Sequence, residues 1–529
     1  MSAIGSIKAN WRVLLLVVFL TVALVALFLP GGVMGGEETY PTNESDSSMH
    51  NLEFGLGLDG GTKISAPVVG MHVSEVSVDA EGTQLDRRGQ EIQATVSEEL
   101  DLETGDALVR TDHQNGEVSV EVFTGNVSEA EFAAALQEAG IDVAEEDVEQ
   151  GVTQATRDDI QTTIQLRINE AGLSGSQVSQ AEMDGTYYIV TEAPAMTTEE
   201  LRSLLEYRGI VEIVMHYPDG EGGQQNETAL VQQDFGSIGT ASYNGEDGYD
   251  YVPVTVNPGP AEEYQQRMVE TGFTQNPSSC NYGNPEAEGS NYCLLTMVDG
   301  EVIDAHSVSP GLAADMESGQ WANGGQFQMI TPSQQEAQTL SINLRAGELR
   351  APLDFDRAQT YMISPALAEQ FKNYSLLIGI LAVLTVSGVV YVRYGDRRVA
   401  LPMIVTALSE VVILLGVAAL LRMPLDLSHV AGFIAVVGTG VDDLVIIADE
   451  VLDEGDVNSR RVFESRFRKA FWVIGAAAAT TIIAMSPLAV LSLGDLRGFA
   501  IITILGVLVG VLITRPAYGD ILRRLLTDK

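Results

Sequence analysis

Lysine is almost missing from this chain, which has five lysines in 529 residues. Lysine and arginine together number 29 against 73 aspartates and glutamates, so the formal net charge is −44. A surface this negative repels phosphate backbones, which argues against nucleic acid as a partner. It also stays hydrated at high salt, as the acidic surfaces of halophilic proteins do. Most of the acidic residues lie between 31 and 372, so we interpret them as a surface adaptation rather than as chemistry.

Cysteine and the usual catalytic motifs are scarce as well. The two cysteines, Cys280 and Cys293, stand in a region predicted to be exported, and we predict a structural disulfide between them. No histidine or third cysteine follows them at metal-ligand spacing. The sequence has no nucleophile elbow, phosphate-binding loop or metal cluster. We therefore predict that the protein is not an enzyme and that it holds no metal and no resident cofactor.

Long apolar runs are what the sequence does have. Six segments carry roughly 17–23 mainly apolar residues each, which is enough to cross about 30 Å of hydrocarbon. They lie near 13–29, 374–392, 399–421, 429–449, 470–492 and 498–514. The sequence therefore predicts an integral membrane α-helical bundle of six spans.

Basic residues beside the spans indicate how the bundle is oriented. Arginines and lysines flank the spans on one side, namely before the first, after the second and fourth, and after the sixth. Because such residues are enriched on the cytoplasmic side, both termini are predicted to be cytoplasmic and residues 31–372 to lie outside. The first run could instead be a cleaved signal peptide, but its length and the lack of an Ala-x-Ala site favour an uncleaved anchor. The predicted regions are 1–30 (tail and first span), 31–372 (extracytoplasmic domain), 373–515 (spans two to six) and 516–529 (cytoplasmic tail).

The exported region alternates between strand-like and helix-like segments. Val118 to Phe123 alternates apolar and polar residues, as a half-buried strand does. Ser128 and Thr197 each stand three residues before a glutamate at the start of a helical pattern, which is the spacing of a capping box. This alternation predicts a large α+β domain between spans one and two. We expect a base at about 50–217 and 301–365, interrupted by an inserted lobe at about 218–300.

Two adjacent aspartates, Asp442 and Asp443, interrupt the fourth span. A carboxylate in hydrocarbon costs about 2.5–3.5 kcal/mol on insertion scales, so such residues usually face a bundle interior and have a function. Successive helix residues point about 100° apart, so the two cannot face the same partner. We predict that one of them takes up a proton or sodium ion, and the alternative is that the pair only packs helices or contacts a partner subunit. The expected supporting residues are Gly438 and Gly440 in the same span and Thr480 and Thr481 in the fifth.

Several motifs together resemble the SecD family of protein-export membrane proteins, which belongs to the RND superfamily. GLGLDGGTKI (55–64), with Asp59, Gly60 and Gly61, resembles the motif that follows the family's first span. LRAGELRAPL (344–353), with Arg345 and Gly347, is similar to the motif that precedes its second span. GTGVDDLVI (438–446) resembles the segment that carries the family's functional aspartate, which this likeness assigns to Asp442.

The resemblance implies an RND half-unit of six spans that pairs with a SecF-like subunit. It implies work beside a SecY-type translocon, where membrane-embedded subunits help exported polypeptides to move or be released on the outer side, driven by protons or sodium. This chain departs from the pattern in the fifth span, where bacterial members carry Asp-Ala-Asn and this chain has Ala476-Ala477-Ala478, and at Leu444, where the family carries Asn. Asp443 is an addition to the pattern. These departures and the low-lysine acidity indicate a haloarchaeal member.

Two other functions stay open on the sequence. The protein could be a membrane-anchored holding factor that binds emerging chains without using an ion gradient. It could also be an RND-type permease for lipids or small molecules. A permease would usually need both halves in one chain or a homo-oligomer, and would lack the LRAGEL motif.

Overall fold

The computed structural model of the protein describes residues 11–29, 50–78, 80, 82–103, 105–171, 173, 175–219, 223–245, 248–283, 291–395, 397–452, 460–490 and 495–527. The predicted tail before Trp11 and the last two residues lie outside these ranges. In chain order, the α-helices of the described residues are α1 (Trp11–Phe28), α2 (Leu56–Asp59), α3 (Thr83–Glu99), α4 (Glu129–Glu138), α5 (Gln154–Glu170), α6 (Thr198–Glu206), α7 (Pro258–Glu270), α8 (Pro310–Glu317), α9 (Gln334–Ala346), α10 (Pro365–Tyr394), α11 (Arg397–Leu420), α12 (Leu427–Leu452), α13 (Arg460–Val490), α14 (Asp495–Val509) and α15 (Arg515–Thr527).

The strands of the described residues form four sheets. In chain order they are β1 (Gly61–Pro67), β2 (Met71–Ser77), β3 (Ala107–Asp112), β4 (Glu117–Val122), β5 (Glu149–Gln150), β6 (Gln177–Met183), β7 (Thr186–Pro194), β8 (Val211–Pro218), β9 (Gln224–Val231), β10 (Phe235–Ile238), β11 (Ser242–Asn244), β12 (Tyr249–Val256), β13 (Cys293–Val298), β14 (Glu301–His306), β15 (Gln326–Thr331) and β16 (Gln359–Ile363).

Six helical segments in the described residues are long and apolar enough to cross a membrane, which confirms the predicted fold class. They are α1, α10, α11, α12, α13 and the continuous stretch from α14 to α15. The last of these differs from expectation. A five-residue π-helical turn, Gly510–Thr514, joins α14 to α15, and the helix runs on to Thr527. Residues predicted as a tail from 516 onward are therefore helical, and Tyr518 and Leu522 among them are buried in the bundle.

Glycines let the central helices approach closely. A Cβ atom on Gly432 of α12 would lie 2.9 Å from Ile502 of α14, and one on Gly506 would lie 2.3 Å from a methyl group of Val436. Small residues at helix contacts are the usual device in a membrane, where lipid is as apolar as the helix surface. This packing fixes the rotation of α12 about its own axis, and with it the direction in which each aspartate points.

The base of the α+β domain is an antiparallel sheet in the order β16-β1-β7-β6. Helices α5 and α6 pack on it through a shared apolar core that includes Ile64, Ile164 and Leu201. Thr197 begins α6 with a capping box that involves Glu200, as the sequence spacing predicts. The sheet and the helices of the base therefore form one unit. This unit positions the two segments that connect the base to the lobe.

A second unit of the domain has a core of its own. Its sheet has the order β3-β4-β2-β5, and the valines of β4 pack against α3 and α4. The strand predicted at 118–123 is β4, and the predicted capping box at Ser128 and Glu131 begins α4. The sequence did not separate this unit from the base, because periodicity shows that a strand is half-buried but not which helix covers it.

The inserted lobe is larger than the sequence suggests. One apolar core spans residues 211–344 and joins two sheets, β14-β13-β8-β9 and the sheet in which β12 pairs with β10, β11 and β15, to helices α7, α8 and α9. The predicted bounds, 218–300, leave out the first strand and the last third of this unit. Cys280 and Cys293, which belong to the lobe, form the predicted disulfide.

Arg167 of α5 contacts both segments in which the chain passes between the base and the lobe. Its side chain is fully buried, and its guanidinium donates hydrogen bonds to the carbonyls of Tyr207 (2.6 Å), Gly347 (3.1 Å) and Arg208. Burial lowers the pKa of Arg167 to about 10. Beside it, Arg345 forms an ion pair with Glu170 at 2.6 Å. The LRAGEL motif therefore lies in the second of these segments, where the chain leaves the lobe and returns to the base.

The motif after the first span connects the domain to the bundle. The Gly57 amide donates to the Asp426 carboxylate at 3.1 Å, and a side chain on Gly55 would collide with that carboxylate. Gly61 has φ +127°, and a Cβ there would lie 2.3 Å from the Ala193 carbonyl oxygen, so only glycine fits. Asp59 lies 3.6 Å from Lys372 at the start of α10. The motif thus joins the base sheet to the domain-facing ends of α10 and α12.

Candidate functional site

A buried ion pair joins α11 to the start of α15. Each carboxylate oxygen of Glu410 lies 2.8 Å from Nη1 of Arg515, and both side chains are about 2 % exposed. The Thr514 hydroxyl donates to Glu410 at 2.8 Å. A carboxylate and a guanidinium this deep in a membrane bundle are expensive unless they are paired and hydrogen-bonded, as they are here.

Asp443 of α12 is the third member of this cluster. Its Oδ2 atom accepts a hydrogen bond from Nε of Arg515 at 3.2 Å, and the side chain is about 21 % exposed. With all three groups ionised, two carboxylates share one guanidinium, which leaves a net charge of −1 inside the bundle. Such an excess carboxylate is a group that can take up a proton or a metal cation.

The π-helical turn brings Arg515 to the cluster. A Cβ on Gly510 would lie 1.3 Å from Nη1 of Arg515, so the guanidinium rests directly on the glycine backbone. The wider turn brings Thr514 and Arg515 to the same carboxylate of Glu410. Single π-turns inside α-helices occur frequently at functional sites.

Asp442 points away from the cluster. It is exposed on the surface of α12, on a helical stripe with Thr439 and Ile446, which are exposed too. The two aspartates therefore face different surroundings, as the helical geometry predicts. The aspartate in the buried cluster is Asp443, whereas the family resemblance assigns the functional position to Asp442.

The supporting residues predicted from sequence separate into two groups. Gly440 lies against the cluster, where a Cβ would be 3.4 Å from Nη2 of Arg515 and 3.5 Å from Glu410. Gly438 faces open space. Thr480 and Thr481 each donate to the Ala477 carbonyl of their own helix, at 2.8 and 3.0 Å, and their role beside a carboxyl group or a bound ion stays a prediction.

Sequence reasoning missed Glu410 and Arg515. Glu410 could have been found, because it is a carboxylate well inside the apolar run 399–421 and the rule applied to Asp442 applies to it equally. Arg515 was counted among the basic residues that follow the sixth span. Its position at the end of an apolar run looks like a cytoplasmic flank, and only the π-turn and the continuing helix bury it.

Comparisons with known proteins agree with this architecture. Residues 347–518 match the family described as protein export membrane protein SecD/SecF, C-terminal. The six membrane-length helices and this match indicate a multi-pass membrane protein whose C-terminal part is similar to the SecD/SecF protein-export class.

Relatives that align over nearly the whole chain show which family within this class the chain is similar to. The chain is 49 % identical to the protein-export membrane protein SecD of Haloferax volcanii, over 99 % of both chains. It is 48 % identical to that of Haloquadratum walsbyi, over 98 % of this chain and 99 % of the relative. The chain therefore belongs to the SecD family of protein-export membrane proteins. Both relatives come from halophiles, in agreement with the acidic composition.

A solved structure of SecDF from Thermus thermophilus aligns with 98 % of this chain at 18 % identity and a TM-score of 0.41. The chain spans 59 % of that protein's length. An overlap this loose carries no argument about the site.

Proposed function

We propose that the protein uses an ion gradient to assist the export or release of polypeptides, as an accessory subunit of a Sec-type translocase. The observation that carries this proposal is the cluster of Glu410, Arg515 and Asp443, in which two carboxylates share one cation. A proton or sodium ion that neutralises Asp443 weakens the attraction of Asp443 for Arg515. Since α12 holds Asp443 and α15 holds Arg515, this change alters the force between these two helices.

An ion gradient supplies energy that can drive such a change. Each elementary charge that crosses 100 mV contributes about 2.3 kcal/mol. Helix α12 begins directly after Asp426, whose carboxylate binds the Gly57 amide of the domain motif. A shift of α12 therefore pulls on the base of the α+β domain.

Our proposed orientation puts the α+β domain outside the cell and both termini in the cytoplasm. The basic residues that flank the helices at the end opposite the domain support this orientation. In it, the domain meets polypeptides as they leave a SecY-type channel, and the bundle sits in membrane lipid. We propose no enzymatic activity and no resident cofactor, since the ion is transported cargo.

A SecF-like subunit is the proposed partner. Asp442 is exposed on α12 at a depth where lipid would otherwise surround it, and an ionised carboxylate in lipid is unfavourable. A second six-span half that covers this face would supply the polar surroundings that Asp442 needs. The exposed faces of α10 and α13 give such a half further contact area.

Replacing each aspartate by asparagine tests the proposal. We expect Asp443→Asn to abolish ion-driven export of a Sec substrate in cells that lack the native gene, with normal amounts of the variant in the membrane. We expect Asp442→Asn to impair export as well, because it removes a charge from the partner-facing side. Asp184→Asn, in an exposed turn of the domain, is the matched control and should leave export unchanged.

Undiminished export in both variants would contradict ion coupling. It would favour the holding factor, which binds emerging chains without using a gradient. Loss in Asp442→Asn alone would keep the ion-driven function but move the coupling carboxylate from Asp443 to the exposed position.

A further inference from the structure

Four asparagines of the chain begin the sequence Asn-x-Ser or Asn-x-Thr, which is the acceptor sequence for N-linked saccharides in exported proteins. They are Asn43, Asn126, Asn226 and Asn373, and the first three stand in the region 31–372 that we place outside the cell. Asn43 lies outside the described residues. Such short sequences also occur by chance, so the structure around the other three decides which of them can serve as an acceptor.

Asn126 lies in an irregular segment between β4 and α4. Its side chain is exposed, and the amide group has no hydrogen-bond partner within the described parts of the chain. The backbone N–H of Asn126 donates to the Thr124 hydroxyl at 3.2 Å. The next side chain, Val127, packs against the apolar core of the second unit. The core therefore holds this segment in place while the Asn126 amide stays in solvent.

The hydroxyl of the same acceptor sequence belongs to Ser128, the N-cap residue of α4. Its Oγ atom donates to the Glu131 carboxylate at 2.7 Å and accepts from the Glu131 N–H at 3.3 Å. A single exposed helix cap contributes little to stability, so the cap is open in roughly one molecule in ten. When it opens, the Asn126 amide and the Ser128 hydroxyl are available together, although the rest of the domain stays folded.

Asn226 and Asn373 are held in regular structure instead. Asn226 lies in β9 and is paired with His216 of β8, and its Oδ1 atom lies 2.6 Å from Nδ1 of the His216 ring. To enter the cleft of an enzyme it would have to leave the sheet, which breaks several backbone hydrogen bonds. Asn373 lies within α10, where Ser375 points about 200° away from it around the helix axis. Neither asparagine can present its acceptor sequence while the fold is intact.

We propose that Asn126 carries an N-linked saccharide and that Asn226 and Asn373 do not. This inference rests on the proposed orientation, in which the α+β domain lies outside the cell. The donor is a saccharide carried on a polyprenyl phosphate of the membrane. The Asn126 amide nitrogen bonds to the anomeric carbon as the bond from that carbon to the phosphate oxygen breaks. The lipid phosphate leaves with the bonding electrons, and the amide gives one proton to a base of the transferring enzyme.

A saccharide at Asn126 assigns a role to the surface around the start of α4. N-linked saccharides are bulky and hydrophilic, and they keep the surface beneath them solvated. The exposed side of α4 already carries Glu131 and Glu138. This surface of the second unit therefore faces solvent and takes no part in contacts with a SecF-like subunit or an exported chain.

The test maps saccharide on the full-length protein, expressed in cells whose own exported proteins carry N-linked saccharides. Peptides of the protein purified from membranes are analysed by mass spectrometry for an added saccharide mass at each acceptor sequence. Asn126→Gln removes the acceptor and leaves the Ser128 cap in place. Ser128→Ala removes the hydroxyl, whereas Ser128→Thr keeps both the hydroxyl and the cap. Asn226→Gln is the matched control.

We expect saccharide on Asn126 in most molecules of the wild type, of Ser128→Thr and of Asn226→Gln. We expect at least about a tenfold loss in Asn126→Gln and in Ser128→Ala, because each lacks one half of the acceptor sequence. A wild-type protein without saccharide on Asn126 would overturn the inference. Saccharide on Asn226 or Asn373 would overturn it too, since those positions would then be accessible despite their hydrogen bonds.

A further variant separates this inference from the proposed orientation. Both native cysteines are joined in the lobe disulfide, so Asn126→Cys supplies the only free thiol. A membrane-impermeant maleimide added to intact cells should label it. Labelling of this variant, with no saccharide on Asn126 in the wild type, overturns the modification and leaves the proposed orientation standing. Labelling only after the cells are broken open would place the domain inside, and the orientation and the modification would then fail together.

Discussion

At the scale of single residues, Arg515 is the side chain on which the buried cluster depends. It is the cation that both Glu410 and Asp443 contact, and water barely reaches it. Arg515→Met leaves two carboxylates without a cationic partner inside the bundle. Removing one member of a buried ion pair typically lowers the free energy of unfolding by about 3–5 kcal/mol. We therefore expect a clear drop in the thermal unfolding midpoint of the detergent-purified protein.

A double variant separates this effect from a loss of packing. Glu410→Gln combined with Arg515→Met removes one of the stranded carboxylates, so it should be more stable than Arg515→Met alone. The control, Arg397→Met, changes an exposed arginine at the start of α11 and should unfold like the wild type. Losses of stability that simply add up in the double variant would mean that Glu410 and Arg515 do not depend on each other.

The two aspartates show what can and cannot be predicted from the sequence at this scale. Helical geometry alone predicts that Asp442 and Asp443 face different partners. It does not predict which one points inward, because that depends on how α12 is rotated, and close contacts at Gly432 and Val436 set the rotation. Glu410 could have been predicted in the same way as the aspartates, because it too is a carboxylate inside an apolar run.

At the scale of elements, the π-helical turn Gly510–Thr514 decides where Arg515 lies. Gly510→Ala puts a methyl group where the Arg515 guanidinium rests, since Nη1 would be 1.3 Å from the new Cβ. We expect the guanidinium to be displaced from Glu410, with lower stability and strongly reduced export. Thermal unfolding and the export assay check the two effects.

Gly388→Ala is the matched control for this change. Gly388 also lies in a membrane-length helix, α10, but a Cβ there has no neighbour within 4 Å. Its stability should not fall, because alanine suits a helix interior better than glycine does. If the two variants unfold alike, the close approach at Gly510 does not hold the cluster together.

The helices and strands also show which features could be predicted from the sequence and which could not. The capping boxes at Ser128 and Thr197 were predictable because each depends on four consecutive residues. The extent of the lobe was not, since β12 pairs with β15, about 75 residues later in the chain, and no local pattern encodes that pairing. The π-turn has no sequence signature comparable to a cap or a tight turn.

At the scale of the whole molecule, one face of the bundle carries a carboxylate, Asp442, that no part of the described chain covers. The outward stripe of α12 carries Thr439, Asp442 and Ile446, and most of the neighbouring α10 and α13 is exposed. Helix α1 also has an exposed surface, but it packs against α11 with Ala23 almost touching Gly416, and it carries no carboxylate. This asymmetry predicts that a SecF-like subunit docks on the α12 face and not beside α1.

A single introduced cysteine can locate that subunit. Both native cysteines are joined in the lobe disulfide, so an added cysteine is the only free thiol. We expect a photoactivatable cross-linker on Thr439→Cys to capture a co-expressed SecF-like subunit in native membranes. The same label on Val18→Cys, an exposed position of α1, should not capture it. Equal capture from both positions, or capture from Val18→Cys alone, would place the partner elsewhere. A product with the mass of two copies of this chain would mean that the α12 face joins two identical subunits, and Asp442 would then meet its own counterpart across the interface.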